Sequence, residues 1–149
     1  MSESDLIQLY SKRILALAAD IPFTKPLADA DASAKKRSPL CGSTITVSLS
    51  VEGDAISAFS QDVKACALGQ ASAAVLGQHI IGRTRAEIAA GRDALRAILK
   101  EGANPPEGLF SDLEVLAPAK DYKNRHASIM LAWDATLEAM DQATAQKVG

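Results

Sequence analysis

The sequence predicts an α+β fold, a small antiparallel β-sheet packed against several helices. Three observations carry that prediction. Residues 44–51 alternate strictly, with Ile45, Val47, Leu49 and Val51 on one face and Thr44, Thr46, Ser48 and Ser50 on the other. Period two with β-branched residues marks a half-buried strand. A second run, 55–63, follows across Glu52-Gly53-Asp54 and makes the pair a hairpin. On either side of the hairpin, apolar residues recur at three- and four-residue steps, the spacing of amphipathic helices.

Length and composition set the frame. A chain of 149 residues, 48% apolar and 23% charged, reads as one globular domain over 1–149. At this size about two-thirds of the unfolded surface is buried, so folding requires no metal. A net charge of −2 and 4% aromatic residues give no footprint for nucleic acid or an anionic membrane. Met1-Ser2-Glu3-Ser4-Asp5 is acidic where a signal peptide is basic, and no apolar run reaches membrane-spanning length. The expected location is cytoplasmic. There a Cys41–Cys66 disulfide is disfavoured, which leaves burial, metal or sulfur chemistry for the two thiols.

The elements follow in order. Residues 5–19 form an amphipathic helix with Leu6, Leu9, Tyr10, Ile14 and Leu17 inward, ended by Pro22 and Pro26. From 20 to 39 the chain reads as irregular and polar. Lys35-Lys36-Arg37 in that stretch is a solvated surface or a docking patch for an acidic partner. After the hairpin, 67–80 is a helix with Leu68, Ala71, Val75 and His79 on one stripe, His79 at its surface or the core edge. Its Ala, Gly and Ser residues let another backbone approach closely. Thr84 and Glu87 have the spacing of a capping box for a helix to about Glu101, buried through Ile88, Leu95, Ile98 and Leu99 and closed by Gly102. Residues 103–108 are a loop. Ser111 is expected to cap a short helix through Leu116, stopped at Pro118. A last helix, about 124–145, carries Ile129, Met130, Trp133, Leu137 and Met140 inward.

Both cysteines lie at junctions around the hairpin. An antiparallel pair brings the start of one strand beside the end of the other, so Cys41 and Cys66 should meet at one end of it. Two thiols so placed could share one small inorganic centre. The alternative is two buried core cysteines, since free cysteine is among the most buried residue types. Cys66 opens a helix, where the dipole and unpaired N–H groups favour a negatively charged sulfur. Asp54, Asp62 and the remaining carboxylates read as solvated charges. The sequence contains no Gly-x-Ser-x-Gly, Walker loop or Gly-x-Gly-x-x-Gly, and two histidines are too few for a catalytic zinc triad.

Several separated motifs resemble the U-type iron–sulfur cluster scaffolds: IscU, the NifU N-terminal domain and SufU. They are Leu9-Tyr10, Pro39-Leu40-Cys41-Gly42-Ser43 before a strand–turn–strand, Ala65-Cys66-Ala67 through Ala71-Ser72-Ala73-Ala74, and Arg125 through Trp133. The resemblance covers nearly the whole chain and implies a NifU-like, IscU-like domain of the SufE/NifU-like fold. The long stretch between Cys66 and Arg125 is similar to the SufU branch. The chaperone-docking Leu-Pro-Pro-Val-Lys of IscU is absent, and Pro118-Ala119-Lys120-Asp121 stands in its neighbourhood.

The resemblance implies a scaffold in iron–sulfur cluster assembly, more a scaffold or carrier than an enzyme. Its partners would be a cysteine desulfurase and cluster-accepting proteins, with no nucleic acid and no membrane. The family site has three cysteines and an aspartate. Here the aspartate position is Ser43, and the third cysteine falls on Ser128, or on Ala127 if the register shifts by one. Cys41 and Cys66 would be the cluster ligands or sulfur acceptors, with Ser43, His126 and Ser128 at the rim. Serine hydroxyls are poor ligands, so the two thiols supply half of a [2Fe–2S] shell. His126, a second copy in a homodimer or a small thiol would complete it. Zinc is the alternative metal and meets the same shortage. A second implied role is a SufU-like persulfide carrier, a sulfurtransferase activity, with Arg125 contacting the desulfurase. A third is a regulatory module that kept the fold and lost the chemistry.

Overall fold

The computed structural model describes residues 11–39 and 42–148, with side chains described as far as 145. In chain order the elements are helix α1 (Lys12–Ala19), strands β1 (Ala32–Arg37), β2 (Thr44–Glu52) and β3 (Ala55–Lys64), helices α2 (Ala67–Gln78) and α3 (Arg85–Glu101), a 3₁₀-helix (Ser111–Asp121) and helix α4 (Lys123–Val148). The sheet is antiparallel in the order β1-β2-β3. The α+β class predicted from the alternating segments is the one observed.

Strand β2 sits in the centre because it has the cleanest alternation. Ile45, Val47 and Leu49 are fully buried under α4, which crosses β1 and β2, while the intervening Thr and Ser residues stay partly exposed. Gly53, at φ 65°, makes the tight β2–β3 turn, a backbone conformation that costs glycine little. A bulge lets Ser50 face Ala58 and Val51 face Ile56, leaving Ser57 as the extra residue.

Two expectations need correction. Residues 32–37 are a strand, not irregular chain: Ala32 and Ala34 point inward, Ser33 and Lys35 outward, and β1 pairs with β2 from Ala32↔Leu49 to Arg37↔Thr44. Alanine is a weak apolar signal, and three consecutive cations masked the period. The segment after Phe110 is one 3₁₀-helix that runs through Pro118 to Asp121, and Ser111 makes no side-chain cap. A 3₁₀ turn tolerates the fixed φ of proline, and the missing N–H costs one bond in a ladder already short.

The other helices agree with their sequence signals. The capping box at Thr84 is complete, with Glu87 N donating to Thr84 Oγ1 (3.2 Å) and Thr84 N donating to Glu87 Oε1 (3.0 Å). Gly102 closes α3 in the left-handed conformation, φ 67°. Helix α1 begins at Ser11, whose hydroxyl accepts from Ile14 N. Leu6, Leu9 and Tyr10 lie outside the described residues. Helix α2 is buried on nearly every side, and its small residues do permit close approach: a Cβ on Gly77 would meet Pro22 at 2.7 Å. His79 caps its end and stacks edge-on against Phe110 at the core margin.

Candidate functional site

The site forms where three segments end together. Register pairs Thr44 with Lys64, so the entry to β2 and the exit from β3 lie side by side. Ser43 immediately precedes β2, Cys66 is the N-cap of α2, and Ser128 lies in the second turn of α4. The loop before β2 closes on itself, with Ser38 N donating to Ser43 O (2.8 Å) and Gly42 N to Ser38 O (3.0 Å). Gly42 adopts φ 70° there.

The three side chains form a continuous polar row. Cys66 Sγ lies 3.6 Å from Ser128 Oγ, and Ser128 Oγ donates to Ser43 Oγ at 2.9 Å. Cys66 is a half-buried thiol, whereas Ser43 and Ser128 are 4% and 0% exposed. The structure thus places Ser128 against Cys66, and Ala127 is turned to a separate groove.

The packing of α2 on α4 fixes this geometry. A Cβ on Gly69 would stand 2.7 Å from Ser128 Oγ, so only a residue without a side chain lets the helices approach this closely. One turn further on, Ser72 Oγ donates to Ile129 O (2.7 Å) and accepts from Trp133 Nε1 (3.0 Å). Both bonds are buried, and buried hydrogen bonds of this kind hold two helices in one register. Sequence reasoning did not single out Gly69 or Ser72 for this task. The signal was the small-residue run itself.

His126 lies apart from the row. Its Nε2 donates to Ala119 O at 2.9 Å, and its Nδ1 is buried without a hydrogen-bond partner among the described residues. Arg125 is partly exposed and makes no side-chain ion pair among the described residues. Cys41 lies outside the described residues. Among the described residues, no three His, Cys, Asp or Glu side chains converge.

Chemically, the described part of the site is one thiol beside two neutral hydroxyls. A thiol can give one sulfur ligand or accept one sulfur atom. Hydroxyls can donate hydrogen bonds to the sulfur but are weak metal ligands at neutral pH.

A small antiparallel sheet backed by helices thus places a cysteine at the N-cap of the helix after the hairpin, with neighbours drawn from the β2 entry and the last helix. No protein-family model matches the chain. The crystal structure of a nitrogen-fixing NifU-like protein (N-terminal) from Brucella abortus superposes with a TM-score of 0.91 at 42% identity, over 95% of this chain and 99% of that one. The iron–sulfur cluster assembly scaffold protein IscU of Thermotoga maritima is 29% identical over 132 residues, 89% of this chain and 92% of the relative. The crystal structure of FiSufU from Fervidobacterium islandicum AW-1 shares the fold with a TM-score of 0.81 over 90% of this chain and 98% of that one, at 22% identity. The chain belongs to the U-type iron–sulfur cluster assembly scaffold family.

Proposed function

We propose that this protein works in iron–sulfur cluster assembly as a two-thiol scaffold that holds iron or a nascent cluster through Cys41 and Cys66. The observation that carries the reading is the Cys66–Ser128–Ser43 row. The fold keeps a half-buried thiol at the place where the β2 entry, α2 and α4 converge. Cys41 stands two residues before Ser43 in the sequence. The kinship with scaffold proteins supplies the reaction class.

The cluster is the substrate here, taken up and handed on. Two thiolates fill half of the usual four-thiolate shell, and Ser43 and Ser128 do not replace the rest. Labile holding suits a scaffold, which must release what it binds. A second copy of the chain would bring the thiol count to four, so a cluster-bridged homodimer is the expected loaded form. A cysteine desulfurase would supply sulfur, and a cluster-accepting protein would receive the product. Zinc in the same site would be held by the same two sulfurs.

A second reading is favoured by the surroundings of Cys66: hydroxyls beside a thiol suit a sulfur carrier. The Cys66 thiolate would attack the outer sulfur of a desulfurase persulfide, forming Cys66–S–SH and releasing the desulfurase thiolate. No net oxidation occurs, because the sulfane sulfur moves intact. Ser128 Oγ, 3.6 Å from the attacking sulfur, would turn its proton from Ser43 to reach it, and Arg125 is exposed enough to meet the desulfurase. Incubation with desulfurase and cysteine, followed by intact-mass analysis, separates the readings. A gain of about 32 Da lost in Cys66→Ala supports the carrier. Iron with acid-labile sulfide, lost in the same variant, supports the scaffold.

A further inference from the structure

A groove of about 490 Å³ is lined in part by Ser38 and Pro39 of the β2-entry loop, and its charge is one-sided. Lys36 and Arg37 reach it from β1, Arg96 and Lys100 from α3, and Lys123 from the start of α4. Among the described residues the single acid in its lining is Asp134, which is paired with Arg92 at 3.4 Å. Lys36 has a distant partner in Glu138 at 3.9 Å, while Arg37, Arg96, Lys100 and Lys123 form no ion pair among the described residues. The floor is apolar, made by Leu99, Met130 and Leu131.

This concentration runs against the composition. The whole chain carries a net charge of −2, yet five cations gather round one concavity. Like charges held together raise one another's energy, and here only Asp134, itself paired with Arg92, and the distant Glu138 offset the cost. An anion in the groove removes that repulsion. The volume falls within the roughly 300–1,000 Å³ of small-molecule sites, and an apolar floor with a few convergent charged groups is the usual composition of such a site. The first turn of α4 contributes its positive dipole end to the same wall, through Lys123, His126 and Ala127.

We propose that this groove binds a small polyanion, a phosphorylated or polycarboxylate compound, at a site whose described lining does not include Cys66, Ser43 or Ser128. Its wall includes Pro39, in the loop that leads to Ser43, and Ala127, next to Ser128. A ligand seated there would press on two of the segments that build the Cys66 row, and it would do so whether or not that row holds a cluster. The proposal therefore stands independently of the function assigned to Cys66.

The test is an amide NMR titration of the intact chain with pyrophosphate and with citrate, beside the double variant Arg96→Gln/Lys100→Gln. The variant changes two exposed side chains, and its spectrum reports whether it is folded. Saturable shifts at Lys36, Arg37 and Lys123 are expected with at least one probe. Affinity should fall about tenfold or more in the variant, as each charge-assisted hydrogen bond contributes more than a neutral one. Pyrophosphate alone would assign a phosphorylated ligand, and citrate alone a polycarboxylate. No saturable shift at roughly 10 mM, where even a millimolar site is filled, would overturn the proposal. So would an unchanged affinity in the variant. A response to hexaglutamate with none to either small anion would reassign the groove to an acidic protein segment and equally overturn it.

Discussion

At the scale of single residues, the site is defined by what Ser128 and Ser43 are not. Ser128 Oγ lies 3.6 Å from Cys66 Sγ, so a sulfur at position 128 would sit within reach of any metal on Cys66. Ser128→Cys together with Ser43→Asp is expected to tighten zinc binding by about tenfold or more, since each substitution replaces a neutral hydroxyl with an ionisable ligand. Competition with a chromogenic chelator measures this, and an unchanged affinity would show that residues 43 and 128 do not face the metal. Gly69 acts from the next helix. In Gly69→Ala the new Cβ, 2.7 Å from Ser128 Oγ, must displace that hydroxyl or spread α2 from α4. The variant should unfold about 1–3 kcal/mol more easily than the wild type in a urea titration. The thiol at Cys66 should also change its alkylation rate. This much of the site was partly legible in sequence. Motif alignment left residues 127 and 128 as alternatives, because a one-residue shift on a helix keeps both in plausible register. Only the three-dimensional crossing of α2 and α4 separates them: Ser128 faces Cys66 and Ala127 faces the cationic groove.

At the scale of elements, α3 shows how local signals and packing combine. Its capping box was readable from Thr84 and Glu87, and it also makes stability depend on pH. The Thr84 backbone N–H, aided by the Arg83 charge and the Thr84 hydroxyl, holds the Glu87 carboxyl below its ordinary 4.5. A carboxylate whose folded pKa is depressed stabilises the native state above its unfolded pKa, and that contribution is lost as pH falls through the folded value. Glu87→Gln should therefore lower the melting temperature at pH 7, and the gap to the wild type should close as pH is taken well below 4.5. A gap that is the same at pH 7 and at pH 3 would contradict the capping role. Removing the other half of the box, Thr84→Ala, should cost about 1 kcal/mol. Further along the same helix, a Cβ on Gly91 would meet Trp133 at 2.6 Å and Phe110 at 2.9 Å. That contact was invisible in the sequence, where Gly91 looks like a flaw in a helical stripe. Strand β1 was invisible for a different reason. Its inward residues are Ala32 and Ala34, too small to mark a period, and its pairing with β2 is a tertiary fact rather than a local one.

At the scale of the whole molecule, the framework is written in the sequence more plainly than the chemistry. The α+β class, the hairpin, the helix at Cys66 and the long Trp133 helix were all present in the periodicities, because burying apolar faces leaves a repeating pattern in the chain. Binding chemistry leaves no such pattern, since it depends on a few residues drawn from separated segments. The core around Ile45, Leu68 and Trp133 is fully closed. The site it supports holds, among the described residues, one thiol and two hydroxyls. No described helix is long and apolar enough to cross a membrane. The proposed scaffold role then turns on whether two thiols per chain suffice to hold the substrate. The most direct measurement is iron and acid-labile sulfide in anaerobically purified protein, compared among the wild type, Cys41→Ala and Cys66→Ala, with the mass of each in solution. The two-thiol scaffold predicts iron and sulfide in a wild-type dimer and loss of both in each folded variant. Metal content that survives either substitution, or a folded wild-type monomer that never takes up iron and sulfide, would contradict it.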